Sequence, residues 1–144
     1  MISALQTAAV GDDLPGLDVR LDQTAVVRQV SGGQDWAGIH HDHDYAVKSG
    51  HEGIFFNTSW TQGMLSRLLT DWIGPDGWLS HLEFQMRKMN VLGDVVRVRG
   101  RVTGCRAGEA GSEVLTLDVW LENERVGVTT PGKAEVIRHR ATTG

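Results

Sequence analysis

The sequence predicts an α+β fold in which an antiparallel sheet wraps one long central helix. Three observations carry that prediction. Between Trp60 and Ile73 apolar residues recur with a helical period; beyond Gly77 apolar and polar residues alternate over several long segments; and 144 residues suit a single domain with a buried core.

Residues 1–16, with Gly11, Asp12, Asp13, Pro15 and Gly16, read as a lead-in that covers a sheet edge or hangs free, and residues 17–140 as the single domain. From Asp18 to Ser31, β-branched residues with partial alternation predict one or two strands. "SGGQD" breaks that pattern. The segment from there to about Trp60 has neither a strand nor a helix period, apart from a short helix near "DHDYAVK", and a connection of that length is usually functional or covering.

The central helix is carried by Trp60, Met64, Leu65, Leu68, Leu69, Trp72 and Ile73, which form one apolar stripe. Thr58 or Ser59 caps its start, and Gly74 with Pro75 stops it. Gly63 inside it costs about 1 kcal/mol relative to Ala, which suggests close approach of a strand or a ligand, packing being the stronger reason. "GWLSHLEFQMRKM" then reads as a strand. Val96, Val98 and Val102 alternate with Arg97, Arg99 and Arg101, and Leu115, Leu117 and Val119 with Thr116, Asp118 and Trp120, with a turn at Glu122 to Glu124. Three or four long antiparallel strands therefore follow the helix. The alternating arginines read as a solvated face, with a substrate phosphate as the alternative. A lone helix on one sheet leaves an open rim that a second copy can close, so a dimer or pseudo-dimer is expected.

Composition narrows the function. A net charge of −4 speaks against a general nucleic-acid binder. No signal-like start and no long apolar run point to a cytoplasmic protein with no membrane partner. The single Cys105 reads as a small strand hydrophobe in a reducing compartment.

"GIHHDHDYA" concentrates the chemistry. His40, His41, Asp42, His43, Asp44 and the nearby His51 are all possible metal ligands, but adjacent ligands on a strand face opposite ways and no HExxH or CxxC is present. The second possibility pairs Asp35 with His40. A carboxylate and an imidazole can hold one water between them, the imidazole acting as general base, and the N–H groups at the start of the helix near Thr58 can receive charge on a carbonyl oxygen. On spacing alone, a turn role for Asp35 and a surface role for His40 stand beside that reading.

"SGGQDWAGIHHDHDYA" resembles the signature of the MaoC-like, or R-specific, enoyl-CoA hydratases, S-G-D-x-N-P-I-H followed by an acidic residue and an alanine. "GMLSRLLTDWIGPDG" and "NVLGDVVRVRGRV" extend the likeness, which covers about Ser31 to Thr103. The resemblance implies a hotdog fold and hydration of a trans-2-enoyl-CoA to a 3-hydroxyacyl-CoA, or the reverse, with Asp35 and His40 catalytic and no metal or organic cofactor. Departures are visible. Ala37 and Gly38 replace the usual Asn and Pro, and the family's His-Gly at the mouth of the helix falls on Asn57 and Thr58, which assigns the oxyanion hole to the Thr58 backbone N–H.

"DWAGIHHD" and "IFFN" look most like the small subunits of the actinobacterial steroid side-chain enoyl-CoA hydratases. That likeness implies an acyl-CoA substrate, steroid-like or otherwise bulky, and either a homodimer or a heteromer with a second MaoC-like subunit that shapes the cavity. As aromatic residues, Trp36, Phe55, Phe56 and Trp60 are candidates to line an acyl pocket, with a core role at least as strong for each, and Asn57 is taken as substrate-side with them. Arg87 and Lys88 are the first candidates for the CoA phosphates. Two other functions remain open at this level: a hotdog thioesterase, for which the only helix carboxylate, Asp71, lies at the far end, and a non-catalytic acyl-CoA-binding or scaffolding subunit.

Overall fold

The computed structural model describes residues 3–140, so residues 1 and 2 of the lead-in lie outside the described residues. In chain order the elements are α1 (Ala4–Thr7), β1 (Leu17–Arg20), α2 (Gln23–Gly33), α3 (His43–Lys48), α4 (Thr58–Ile73), β2 (Gly77–Phe84), β3 (Val95–Ala107), β4 (Ser112–Asn123) and β5 (Gly127–His139). The strands form one antiparallel sheet in the order β1-β3-β4-β5-β2. The α+β hotdog layout is therefore present: the sheet curls around α4.

Alternation explains the curl's contents. Val96, Val98 and Val102 of β3, Leu115, Leu117, Val119 and Leu121 of β4, and Ala134 and Val136 of β5 share the inner face with Leu65, Leu68, Leu69, Trp72 and Ile73 of α4. Each fully buried aliphatic side chain contributes about 2 kcal/mol of hydrophobic stabilisation. Gly100, paired with Val119, lies under both α4 and the lead-in: a Cβ there would stand 3.3 Å from both Leu14 and Leu68. The outward arginines are paired with carboxylates, Arg97 with Glu122 and Glu124, Arg99 with Asp18, and Arg101 with Asp13. They form a solvated face.

The lead-in covers an edge. Gly11 N–H donates to the Val102 carbonyl and Leu14 N–H to that of Gly100, continuing the ladder past β1, while Leu5 and Leu14 are buried in the core.

Four expectations need correction. Residues 23–33 are helical rather than strand, because the Asp22 carboxylate caps Ala25 N–H and Val26, Gln29 and Val30 form one buried stripe at helical spacing. The cap of α4 is Asn57, whose Oδ1 accepts from Trp60 N–H, so Thr58 is the first helical residue. Gly63 is exposed, and beyond its neighbours and its own helix backbone no atom of the described residues would lie within 4 Å of a Cβ there, so packing against the rest of the described chain does not require it. Cys105 lies in β3 but is exposed, not a buried hydrophobe. Among the described residues no helix is long and apolar enough to cross a membrane.

Candidate active site

The segment between α2 and α4 brings the site together. Helix α2 stops where Gln34 takes a left-handed conformation, φ 53°, which turns the chain toward Asp35. A single 3-10 turn, Gly38–His40, then buries His40, 6% exposed. Gly38 is needed there: a Cβ would stand 2.7 Å from the Tyr45 ring. The following residues behave as turn and helix-start residues, with Asp42 capping Tyr45 N–H at 3.1 Å and His43 and Asp44 opening α3. His41 Nε2 lies 3.1 Å from the Trp36 carbonyl.

His40 Nδ1 lies 2.8 Å from the Phe55 carbonyl oxygen, which can only accept, so Nδ1 carries a proton, and whenever the ring is neutral Nε2 is bare. That bare nitrogen stands 3.4 Å from Asp35 Oδ2. In the neutral ring two acceptors therefore face each other across that gap. The Phe55 ring meets the imidazole edge-on, centroids 4.7 Å apart, and holds its plane. Asp35 keeps 40% of its side chain exposed while His40 is enclosed, so the pair opens to solvent on the carboxylate side.

Asn57 joins this pair to the helix. Its Nδ2 donates to Asp35 Oδ2 at 3.0 Å while its Oδ1 caps α4, and both ends of the amide are engaged. The Asn57 donor is the largest influence lowering the Asp35 pKa; partial burial opposes it, and Ala37 N–H and the charge of His40 reinforce it. Asp35 therefore remains a carboxylate at neutral pH. Thr58 N–H and Ser59 N–H follow directly at the positive end of α4 and have no hydrogen-bond partner among the described residues.

Of the residues singled out in the sequence, the structure gathers Asp35, His40, Phe55, Asn57 and the Thr58 amide. Trp36, 61% exposed, flanks Asp35 from outside. Phe56 points into the core and meets the half-buried Trp60 at 4.9 Å, so it backs Trp60. Asp71 pairs with Arg67 one turn away at the opposite end of α4, which leaves that helix without a carboxylate at the site. Lys88 donates to the Val126 carbonyl beside a cavity of about 310 Å3 that Arg125 and His51 also line, and Arg87 donates to Gln85. No three metal-ligating side chains converge among the described residues.

One polar residue went unnoticed in the sequence. Gln29, 6% exposed, donates through Nε2 to the carbonyls of His40 and Phe55 at 3.3 and 3.4 Å and accepts from Asn57 N–H at 3.0 Å. The signal was the spacing of Val26, Gln29, Val30 and Gly33 behind a capping Asp22, which a strand reading hides.

No protein-family model matches the chain. It is 32% identical over 99 residues, 69% of its length and 77% of the relative's, to the 3-oxo-4,17-pregnadiene-20-carboxyl-CoA hydratase beta subunit of Mycobacterium tuberculosis. Among solved structures, a chain of the ChsH1-ChsH2 complex from Mycobacterium tuberculosis matches with a TM-score of 0.82 and 28% identity, covering 92% of this chain and all of the other. The MaoC-like dehydratase from Rhodospirillum rubrum shares the fold at a TM-score of 0.78 and 22% identity, covering 95% and 97% of the two chains. The sequence likeness over most of both lengths, on this curled sheet and central helix, places the chain in the MaoC-like hydratase and dehydratase family.

Proposed function

We propose that the chain is a subunit of an enoyl-CoA hydratase that adds water to a trans-2-enoyl-CoA, or removes it from the 3-hydroxyacyl-CoA. The observation that carries this reading is the His40 ring, locked with Nδ1 on the Phe55 carbonyl and its bare Nε2 3.4 Å from Asp35. Water held between them loses a proton to Nε2 as its oxygen bonds to the β-carbon of the enoyl thioester. The displaced π electrons move onto the thioester oxygen, where Thr58 N–H at the start of α4 receives the charge. The imidazolium proton passes through the Asp35 carboxylate to the α-carbon, so both groups end as they began.

Asn57 acts through Asp35 in this reading, and Trp36 and Trp60 flank the acyl group. Cavities of about 760 and 570 Å3 on this chain are lined mainly by residues of β1 to β5 and of the lead-in, and neither includes Asp35 or His40. That supports an acyl cavity closed by a second MaoC-like subunit, as in a heteromer. By extension from the Mycobacterium tuberculosis relative, the acyl group is bulky and steroid-like. The lone exposed Cys105 fits a cytoplasmic setting.

The test is the loss of enoyl-thioester absorbance on adding a trans-2-enoyl-CoA, with any subunit that co-purifies kept in place. Asp35→Asn and His40→Ala should each lower the rate by at least about a hundredfold, the range of general acid–base catalysis. Equal rates in all three proteins would refute the assignment.

A further inference from the structure

We infer that Gln29 is a positioning residue that selects the His40 tautomer able to act as a base, an inference that rests on the proposed hydratase reading. Gln29 lies inside α2 on the stripe shared with Val26 and Val30, where a methionine or leucine would fill the same space without the cost of burying an amide. Its amide is instead fully employed, with two donations and one acceptance.

The consequence lies at the Phe55 carbonyl. That oxygen receives both His40 Nδ1–H and a Gln29 N–H, so each of its lone pairs has a donor and its direction is fixed from two sides. A neutral imidazole beside a carboxylate has an alternative: the proton on Nε2, donated to Asp35. Hydrogen bonds to a charged acceptor are the stronger kind, so this alternative competes strongly. In that tautomer Nε2 has no lone pair and takes no proton from water. The base therefore works only while the Phe55 carbonyl outbids Asp35 for the ring proton, and Gln29 holds that carbonyl in place. The same side chain's Oε1 holds Asn57 N–H, immediately before the Thr58 amide and on the residue that fixes Asp35. One buried amide thus sets the aim of base, carboxylate and oxyanion donor together.

The experiment compares wild type with Gln29→Met, with any co-purifying subunit retained, after circular dichroism and thermal melting have shown the variant folded. Two readouts are taken: hydration kinetics, and 15N shifts of labelled histidine at a pH where the ring is neutral, His40 being assigned by difference from His40→Ala. The expected result is a fall in kcat of about ten- to a hundredfold with KM within about threefold, together with movement of the His40 proton from Nδ1 to Nε2. Unchanged kcat, or a lowered kcat with the proton still on Nδ1, overturns the inference. Should Gln29→Met not fold, Gln29→Glu keeps an acceptor for Asn57 N–H while removing the amide donors to Phe55, and the same readouts decide. If the wild type hydrates no enoyl-CoA, the hydratase reading fails, while the nitrogen shifts still decide whether Gln29 sets the tautomer.

Discussion

Asn57 serves two masters, and two substitutions separate them. Asn57→Ala removes the helix cap, worth about 1 kcal/mol. It also removes the donor to Asp35; a hydrogen bond to a charged group is worth about 1.5–3 kcal/mol when enclosed, and about 1 kcal/mol is the fitting value here because Asp35 keeps 40% of its side chain in water. The sum, about 2 kcal/mol, lowers the melting temperature of a chain this size by roughly 6 °C. Asn57→Asp keeps a good cap and gains from the helix dipole, but it sets a second carboxylate against Asp35. Its stability loss at pH 7 should be the smaller of the two, while the acid limb of its kcat/KM profile moves to higher pH. The sign follows from the wild type. Asp35 has a lowered pKa in the folded protein, so its contribution to stability is complete above the unfolded carboxylate pKa of about 3.9 and is lost as pH falls through the folded value. Without the Asn57 donor this acid-side dependence weakens. Urea midpoints at pH 7 and pH 4, with pH-rate profiles for enoyl-CoA hydration, measure both effects. An acid limb of Asn57→Asp coincident with wild type would refute the role given to this hydrogen bond.

Two further outcomes concern the scaffold. Arg138, almost fully buried, donates to Glu113 and to the carbonyls of Leu5 and Ala8, so Arg138→Met strands two carbonyls and leaves Glu113 with Arg140 alone, and should cost about 3 kcal/mol by urea denaturation, with limited proteolysis cutting first near Leu5 to Leu14. Arg140 first, then Arg138, lower the pKa of Glu113, so its stabilisation is present above the ordinary carboxylate range and disappears as pH falls through the folded value; Glu113→Gln should destabilise at pH 7, and its deficit against wild type should shrink as pH falls below the ordinary carboxylate range.

What the sequence disclosed follows from where the physics is local. Helix α4 and strands β2 to β5 were legible because a one-faced burial imprints a period on the residues themselves. Helix α2 was not: "TAVVRQV" is rich in β-branched residues, and the amide of Gln29 occupies a slot on the buried stripe where an apolar residue would have revealed the helical spacing. The α4 cap was ambiguous for a simple reason. Asn57, Thr58 and Ser59 are all good caps, and only the bond to Trp60 N–H chooses between them. At the site, Asp35 and His40 could be paired through the motif they resemble. What orients them could not, because the Phe55 carbonyl belongs to the backbone and leaves no trace in residue type.

The clasp between α1 and β5 also bears on the order of events in folding. The carbonyls of Leu5 and Ala8 find their partner 133 and 130 residues later in the chain, so this clasp closes only after the last strand has joined the sheet, whatever earlier packing α1 finds against α4. The last polar seal over Leu5 is thus a long-range closure between the two ends of the domain.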